Sequence, residues 1–495
     1  MPFIINLPFF SVITCLIGAV LCSVFNDRNA RRVCVVSIII VIVFSASVFI
    51  QTASDGQYYH YVLGHFPAPW GNELRVGPLE SLVCCGFGII LLLSLMGGDE
   101  YININVRREK RNRYFVLINL ICVAMVAIVY TNDLFTAYVF LEILTLASCG
   151  ILMIKEIGKT TIAATRYLIL NLFGSGLFLF GIFLIYTMTG HLLMENIHEA
   201  IVLIVRNGNY DFPLTVACAV ICTGLAIKSG LYPFHLWMPD TYAYSTPTSS
   251  AILSSFTSKV YIFLMIKIMF RVIGTDVEGM RNVMNIYLLF GLIAIIIGSV
   301  SAIKQHNINR MIAFSSTAQI GYIFTAISLS SVSGIAAGIY HIFAHSVTKS
   351  LLFISSARII GVSGKSMAFH DLRGAAKRSP FASLMFTVGS LSMIGVPAFA
   401  GFSSKILISS AAAEKENTLS LVILVVLALS TILNTVYFLR TVINIYSTSK
   451  DSEKREKLYP EYVFASIMLA VLNIILGCYS VPVIKAITSG IELFI

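Results

Sequence analysis

The chain has 495 residues, of which 57% are hydrophobic and only 12% charged, with a mean hydropathy of +0.86. A soluble domain carries about 25% charged residues, so a water-soluble enzyme is excluded and a polytopic membrane protein is expected. The net charge of +10 does not point to nucleic acid, because the basic residues fall in short loops and form no patch interleaved with aromatics.

A transmembrane helix needs about 20 apolar residues. That rule predicts about fourteen spans, near 3–25, 32–50, 76–96, 114–130, 133–154, 165–188, 213–236, 248–270, 284–303, 310–329, 333–358, 381–412, 419–446 and 461–482. The first, MPFIINLPFFSVITCLIGAV, lacks the basic start of a signal peptide and reads as a span. The ten cysteines lie in or beside spans with no C-x-x-C pair. They read as packing residues, not as a zinc or iron–sulfur framework. No cofactor is expected in this chain.

Loops after odd-numbered spans hold most of the Lys and Arg, including Arg28, Arg31, Arg32, Arg107, Arg108, Lys110, Arg111 and Arg113. The other loops hold only Arg75, Arg206, Arg271, Arg281, Lys415 and Lys485. This bias predicts cytoplasmic odd loops and both termini outside. Segments 191–206 and 365–378 look amphipathic and read as surface connectors. Lys267 and Arg440 lie near helix ends and are expected to snorkel. The chain reads as a single membrane domain, 1–495. It divides into N-terminal helices (1–113), two helical blocks (114–270 and 284–446) and a last helix (461–482).

The fifth span carries Glu142, roughly 13 Å into the helix at 1.5 Å per residue, near the middle of the bilayer core. A lone carboxylate there must be protonated or find a cation. Asp133, nearer the interface, is a helix N-cap or part of the site. The seventh span runs into CTGLAIKSGLYPFHLWMPDTYAY (222–244). Lys228 lies deep in it, and Gly230 and Pro233 interrupt the helix just beyond. His235, Trp237 and Asp240 follow. A charge beside a broken helix inside a membrane marks a functional site. A snorkelling lysine is the alternative, but it leaves the other internal charges unexplained.

The eighth span carries Lys259 behind the hydroxyls of Ser254, Ser255, Thr257 and Ser258. The eleventh carries His341, His345 and Lys349 at four-residue spacing, which puts them on one helix face. A zincin helix would need Glu after the first His and has Ile342 instead. A proton relay suits the pair better than polar packing or a metal, since His titrates near neutral pH. In the twelfth span Gly395, Pro397 and Gly401 break the helix before Lys405. Two broken spans, five apart, point to a transport site. An odd-numbered repeat inserts upside down, so spans 4–8 and 9–13 are expected to be inverted five-helix repeats, with helices 7 and 12 broken.

These segments resemble a known family. The motifs are NDLFTAYVFLEILTLAS (132–148), AIKSGLYPFHLWMPDTYAYSTPTSSAIL (226–253), NINRMIAFSSTAQIGYI (307–323), YHIFAHSVTKSLLF (340–353), HDLRGAAKRSP (370–380) and IGVPAFAGFSSKILI (394–408). They are similar to the antiporter-like subunits of respiratory complex I, of energy-converting membrane hydrogenases and of Mrp-type cation/proton antiporters. The resemblance implies fourteen helices, a Glu142–Lys228 charge pair, and a polar axis continued by Lys259, His341, His345, Lys349 and Lys405. The segment HFPAPWGNELRV (65–76) leans toward the Mrp D-type and hydrogenase-associated branch. The sequence departs from the family pattern at Gly77–Pro78, at Asn307 and Asn309, and at Arg166.

The resemblance implies a proton- or sodium-translocating subunit of a larger membrane complex in a bacterial or archaeal cell membrane. Partner membrane subunits of an NADH:quinone oxidoreductase-like complex, a hydrogenase or an Mrp antiporter would supply the energy. No redox or catalytic centre is visible in this chain. The alternatives are a stand-alone cation/proton antiporter and, more remotely, a membrane-embedded zinc hydrolase on His341 and His345.

Overall fold

Lipid offers the backbone no hydrogen-bond partner, so a chain that spans it must satisfy its peptide groups internally, as helices do. The computed structural model describes residues 2–66, 72–208, 211–415, 418–448 and 457–494. It is a polytopic all-α membrane protein with one small antiparallel hairpin, Tyr59–Val62 against Glu73–Val76. That hairpin occupies the 65–76 region and what precedes it. Residues 67–71 of that segment lie outside the described residues.

Ten helices among the described residues are long and apolar enough to cross a membrane. They are Leu7–Val24, Asp27–Asp55, Pro78–Gly97, Arg108–Tyr130, Leu134–Met153, Gly158–Thr189, the interrupted Asp211–Tyr244, Glu278–Ile303, Thr418–Tyr446 and Pro460–Cys478. Four other expected spans are helical but more polar or shorter: the run Pro247–Ile273, Ile308–Ile327, Val332–Gly361, and the pair Pro380–Ile394 and Ala400–Ala413. The reason is position. Every residue from Gly334 to Ile360 is buried, whereas the most apolar stretch of Thr418–Tyr446 is only 28% buried. Helices walled off from lipid by others are free to carry Lys, His and hydroxyls.

Close helix crossings rest on paired glycines. Helices Gly158–Thr189 and Asp211–Ser229 meet at Gly174 and Gly224. A Cβ on Gly224 would lie 2.6 Å from the Gly174 carbonyl oxygen, and one on Gly174 2.9 Å from that of Gly224. Helices Glu278–Ile303 and Ile308–Ile327 repeat the device with Gly291 and Gly321. Small residues let backbones approach where lipid gives no hydrophobic drive to association.

Both expected breaks are present. Helix Asp211–Ser229 ends at Gly230 (φ +76°), and a short 3-10 turn, Phe234–Trp237, leads into Met238–Tyr244. Helix Pro380–Ile394 ends at Gly395 (φ +93°) and the chain resumes as Ala400–Ala413. Pro397 lies in that gap. Gly401 does not: it sits in the first turn of the second half-helix, where a Cβ would collide with the Ser392 carbonyl oxygen. Its role is close approach, not interruption.

The two amphipathic segments differ. Segment 191–206 is largely the helix Met194–Asn207, which packs over Lys267–Ile273 through Met194, Ile197 and Ile201. Segment 365–378 is not one helix. It forms two single turns, Phe369–Leu372 and Ala375–Arg378, separated by Gly374 at φ +71°. Arg440 is exposed. Lys267 does not snorkel: it is fully buried and caps the end of helix Arg108–Tyr130, donating to the carbonyls of Val129 (2.5 Å), Thr131 (2.9 Å) and Ile128 (3.3 Å). A cation suits a helix C-terminus.

Gly224→Ala should lower stability by about 1–3 kcal/mol, the usual cost of overpacking. Gly176→Ala, which meets nothing within 4 Å, should be neutral. Thermal unfolding in detergent separates the two.

Candidate ion-translocation site

Helix Leu134–Met153 begins at Asp133, whose carboxylate accepts from the Thr136 N–H at 2.6 Å. Asp133 is therefore an N-cap. Two and a half turns on, Glu142 is partly exposed on the flank of the bundle. Thr145, one turn further, is buried and receives a 2.7 Å hydrogen bond from Lys228 Nζ. Tyr261 closes the group. Its hydroxyl lies 3.2 Å from that of Thr145, and its ring centre 5.4 Å from Lys228 Nζ. Glu142 is within electrostatic range of Lys228, but the direct pair is not formed. Among the described residues no carboxylate lies within 4 Å of Lys228.

The break that follows is held by its own side chains. Trp237 Nε1 donates to the Ile227 carbonyl at 3.2 Å, which also accepts from the Gly230 N–H at 3.2 Å. His235 is buried against Tyr232. Asp240 lies between two arginines from different helices, 3.0 Å from Arg166 and 3.1 Å from Arg310.

Lys259 follows a turn of π-helix, Leu253–Thr257. The wider turn loosens the backbone ladder, and Lys259 Nζ donates to the Ser254 carbonyl while Ser346 donates to that of Ser255. The histidine helix is thereby tied to the Lys259 helix. Lys349 reaches a third helix, donating to the Ile312 carbonyl at 2.6 Å and to the Ser315 hydroxyl. Lys228, Lys259 and Lys349 are all fully buried.

His341 and His345 stack in parallel, with centres 6.1 Å apart and planes at 8°. His341 Nδ1 meets the Ser404 hydroxyl at 3.0 Å, and its ring lies on Tyr322 at 5.4 Å. Tyr322 in turn faces Lys405 Nζ at 5.6 Å. His345 lies within electrostatic range of both Lys259 and Lys349. Among the described residues both its ring nitrogens and His341 Nε2 are buried without a hydrogen-bond partner. Among the described residues no group of three metal-ligating side chains includes either histidine.

Lys405 closes the row at the second break. It donates to the carbonyls of Ile394 (2.8 Å) and Met393 (3.2 Å) and to Thr431 (3.3 Å). These are the end carbonyls of the first half-helix. The free N–H groups of the second half-helix find Asn473 Oδ1, from Ala400 at 3.2 Å, and the Ser392 hydroxyl, from Gly401 at 3.2 Å.

Sequence reasoning named the charged members of this row. It missed Thr145, Tyr261, Tyr322 and Ser404, the neutral groups between them. Tyr322 and Thr145 stand inside the quoted motifs, so spacing from the nearest charge was the available signal. It also placed Arg271 in a loop. Arg271 is buried, 3.8 Å from the buried Glu80 and bonded to Asn132.

A helical membrane bundle with two interrupted helices and an internal row of amines defines an antiporter-like membrane protein. The chain belongs to the family described as NADH:quinone oxidoreductase/Mrp antiporter, transmembrane, which matches residues 131–431. It is 30% identical to NADH-quinone oxidoreductase subunit N of Desulforudis audaxviator over 80% of this chain and 77% of that one. It is 26% identical to the D-type subunit of the Na(+)/H(+) antiporter of Bacillus subtilis over 86% of this chain and 85% of that one. A chain of the membrane-bound sulfane sulfur reductase, an archaeal respiratory membrane complex, superposes with a TM-score of 0.88 at 25% identity, covering 100% of this chain and 97% of that one. A chain of the Mrp complex from Dietzia sp. DQ12-45-1b has the same fold, with a TM-score of 0.88 at 20% identity over 100% and 98%.

Thr145→Val keeps the volume but removes the acceptor of Lys228. Ion transport by the assembled complex should fall about tenfold, the equivalent of one lost hydrogen bond to a charged group. Thr145→Ser should retain most of it. Flux measurements in liposomes check both.

Proposed function

We propose that this chain is a proton-translocating subunit of a multisubunit membrane complex and that Lys228, Lys259, His341, His345, Lys349 and Lys405 carry the ion. The observation behind this is a set of internal amines and imidazoles, none in an ion pair among the described residues: Lys259, His345, Lys349, His341 and Lys405 lie within electrostatic range of one another in turn, and Lys228 stands by Thr145 and Tyr261 with only Glu142 in range. A charged side chain in hydrocarbon costs on the order of 3 kcal/mol by insertion scales, or more. Lysines held by carbonyls, hydroxyls and rings without an ion-pair partner are suited to gain and lose a proton; Lys267 stands apart because its three carbonyls all belong to one helix end.

Glu142 acts from the flank. Drawn toward Lys228, its charge favours the ammonium; drawn away, it favours release. Partner subunits that touch this flank would supply the drive. The fourteen-helix count and the two inverted repeats, spans 4–8 and 9–13, belong to the same reading. The matching breaks at Gly230 and Gly395, each beside a lysine, support them. The excess of Lys and Arg in the odd-numbered loops supports a cytoplasmic side for those loops and an outer side for both termini.

Two cavities open at the basic end, and hydrogen-bonded side chains lead from each toward the row. One of about 510 Å³ is lined by Ser245, Pro247 and Asn309. Ser245 bonds Ser250 at 2.7 Å, at the head of the buried hydroxyl run that ends at Lys259. The other, of about 460 Å³, reaches Tyr437. Tyr437 donates to Asn434 at 2.6 Å, and Asn434 shares the Met393 carbonyl with Lys405. The relatives carry sodium in one name and NADH and quinone in others. Titratable nitrogens with few carboxylates favour protons over sodium here, since sodium needs oxygen ligands.

Lys405→Ala should abolish ion pumping by an intact, assembled complex, read as pH change in energised vesicles. Undiminished pumping would remove the proposal. Replacing His341 and His345 together by Gln should shift the pH dependence of transport. Retention of the wild-type pH profile would exclude them from the path.

A further inference from the structure

Away from the lysine row, three ligand-type side chains converge at the hairpin end of the bundle. His60 comes from the first strand, Glu73 from the second, and Glu195 from the helix Met194–Asn207. The strand register pairs His60 with Arg75, so Glu73, two residues before Arg75, projects from the same face as His60. His60 Nδ1 contacts the Glu73 carboxylate, and its Nε2 lies 3.3 Å from Glu195 Oε1. One donor atom from each residue lies within 4.8 Å of the other two.

We propose that His60, Glu73 and Glu195 bind a divalent transition-metal ion of the zinc class. One imidazole and two carboxylates make three protein ligands, leaving a position for water. Calcium and magnesium prefer oxygen alone, whereas imidazole favours zinc and its neighbours. The ligands come from three separate elements, so helical or strand spacing alone does not explain their meeting. His60 is partly exposed, which gives an ion access from water.

The surroundings orient the donors. Asn132 Nδ2 holds Glu73 Oε1 at 2.7 Å, and the Asn132 side-chain carbonyl takes Arg271. The Tyr58 ring meets His60 edge-on at 5.3 Å and carries Arg75 on its face at 3.8 Å. Such outer contacts fix metal ligands in place.

Two cations compete. Arg271 is 3.5 Å and Arg75 4.0 Å from Glu195 Oε1, and Glu80 lies behind Arg271 at 3.8 Å. An ion that takes Glu195 loosens its hold on both arginines. It also clamps the hairpin onto helix Met194–Asn207, which covers Lys267–Ile273.

The test is a zinc titration of the purified complex, read by bound metal after desalting and by the visible spectrum of the cobalt(II) form. One equivalent should be lost in His60→Ala, and affinity should drop by about 10–100-fold in Glu73→Gln. His370→Ala and Cys478→Ser, at an exposed histidine and an exposed cysteine elsewhere, should keep it. His60→Asn serves if the alanine variant does not assemble. No zinc retained at micromolar concentration, unchanged zinc in an assembled His60 variant, or loss only in the His370 or Cys478 variants would each overturn the proposal.

Discussion

A bilayer gives no hydrogen bonds, so each carbonyl freed by a helix end, a break or a widened turn must be taken up from within. In this chain lysine amines take many of them. Lys405 holds the end of one half-helix, Lys267 the end of another helix, and Lys259 a carbonyl of a π turn. The interrupted backbone and the buried charge are thus one feature. An ammonium binds a carbonyl more strongly than a neutral amine does. A proton arriving at or leaving Lys259 or Lys405 therefore changes how firmly the adjacent break is held.

Like charges reinforce this coupling. His345 faces Lys259 and Lys349, and His341 lies toward Lys405. In a low-dielectric interior these groups cannot all be charged together. On the proposed reading, a charge entering at one end would favour departure of a charge further along. Tyr261 and Tyr322 present ring faces to Lys228 and Lys405, a contact that favours a cation without fixing it as a carboxylate would. Glu142 stands at the flank, within range of Lys228 yet open to whatever packs beside it.

The expensive features were the legible ones. An internal lysine, a Gly–Pro pair inside a span or a His-x-x-x-His face has few explanations in a membrane, so Lys228, Lys259, Lys349, Lys405 and both histidines stand out in the sequence. The breaks at Gly230 and Gly395 followed from backbone chemistry. Neutral members such as Thr145 and Tyr322 were not legible, because buried hydroxyls and rings are common and only contact gives them meaning. Lys267 and Arg271 were misplaced because distance from a span's end was taken as depth. The hairpin and helix Met194–Asn207 cover that end of the bundle, which no hydropathy window registers. Gly401 looked like part of a break because glycine near proline reads that way. Its actual constraint, the Ser392 carbonyl, comes from the two half-helices folding back on each other, which periodicity does not show.

Lys259 stands where the two halves of the row meet, so it tests the account most directly. Lys259→Met keeps the stem's bulk and removes the amine. Proton flux through the assembled complex in energised liposomes should fall at least about tenfold, equivalent to about 1.4 kcal/mol or more on the barrier, with subunit composition unchanged. Flux equal to that of the unaltered complex would contradict a path through the buried amines.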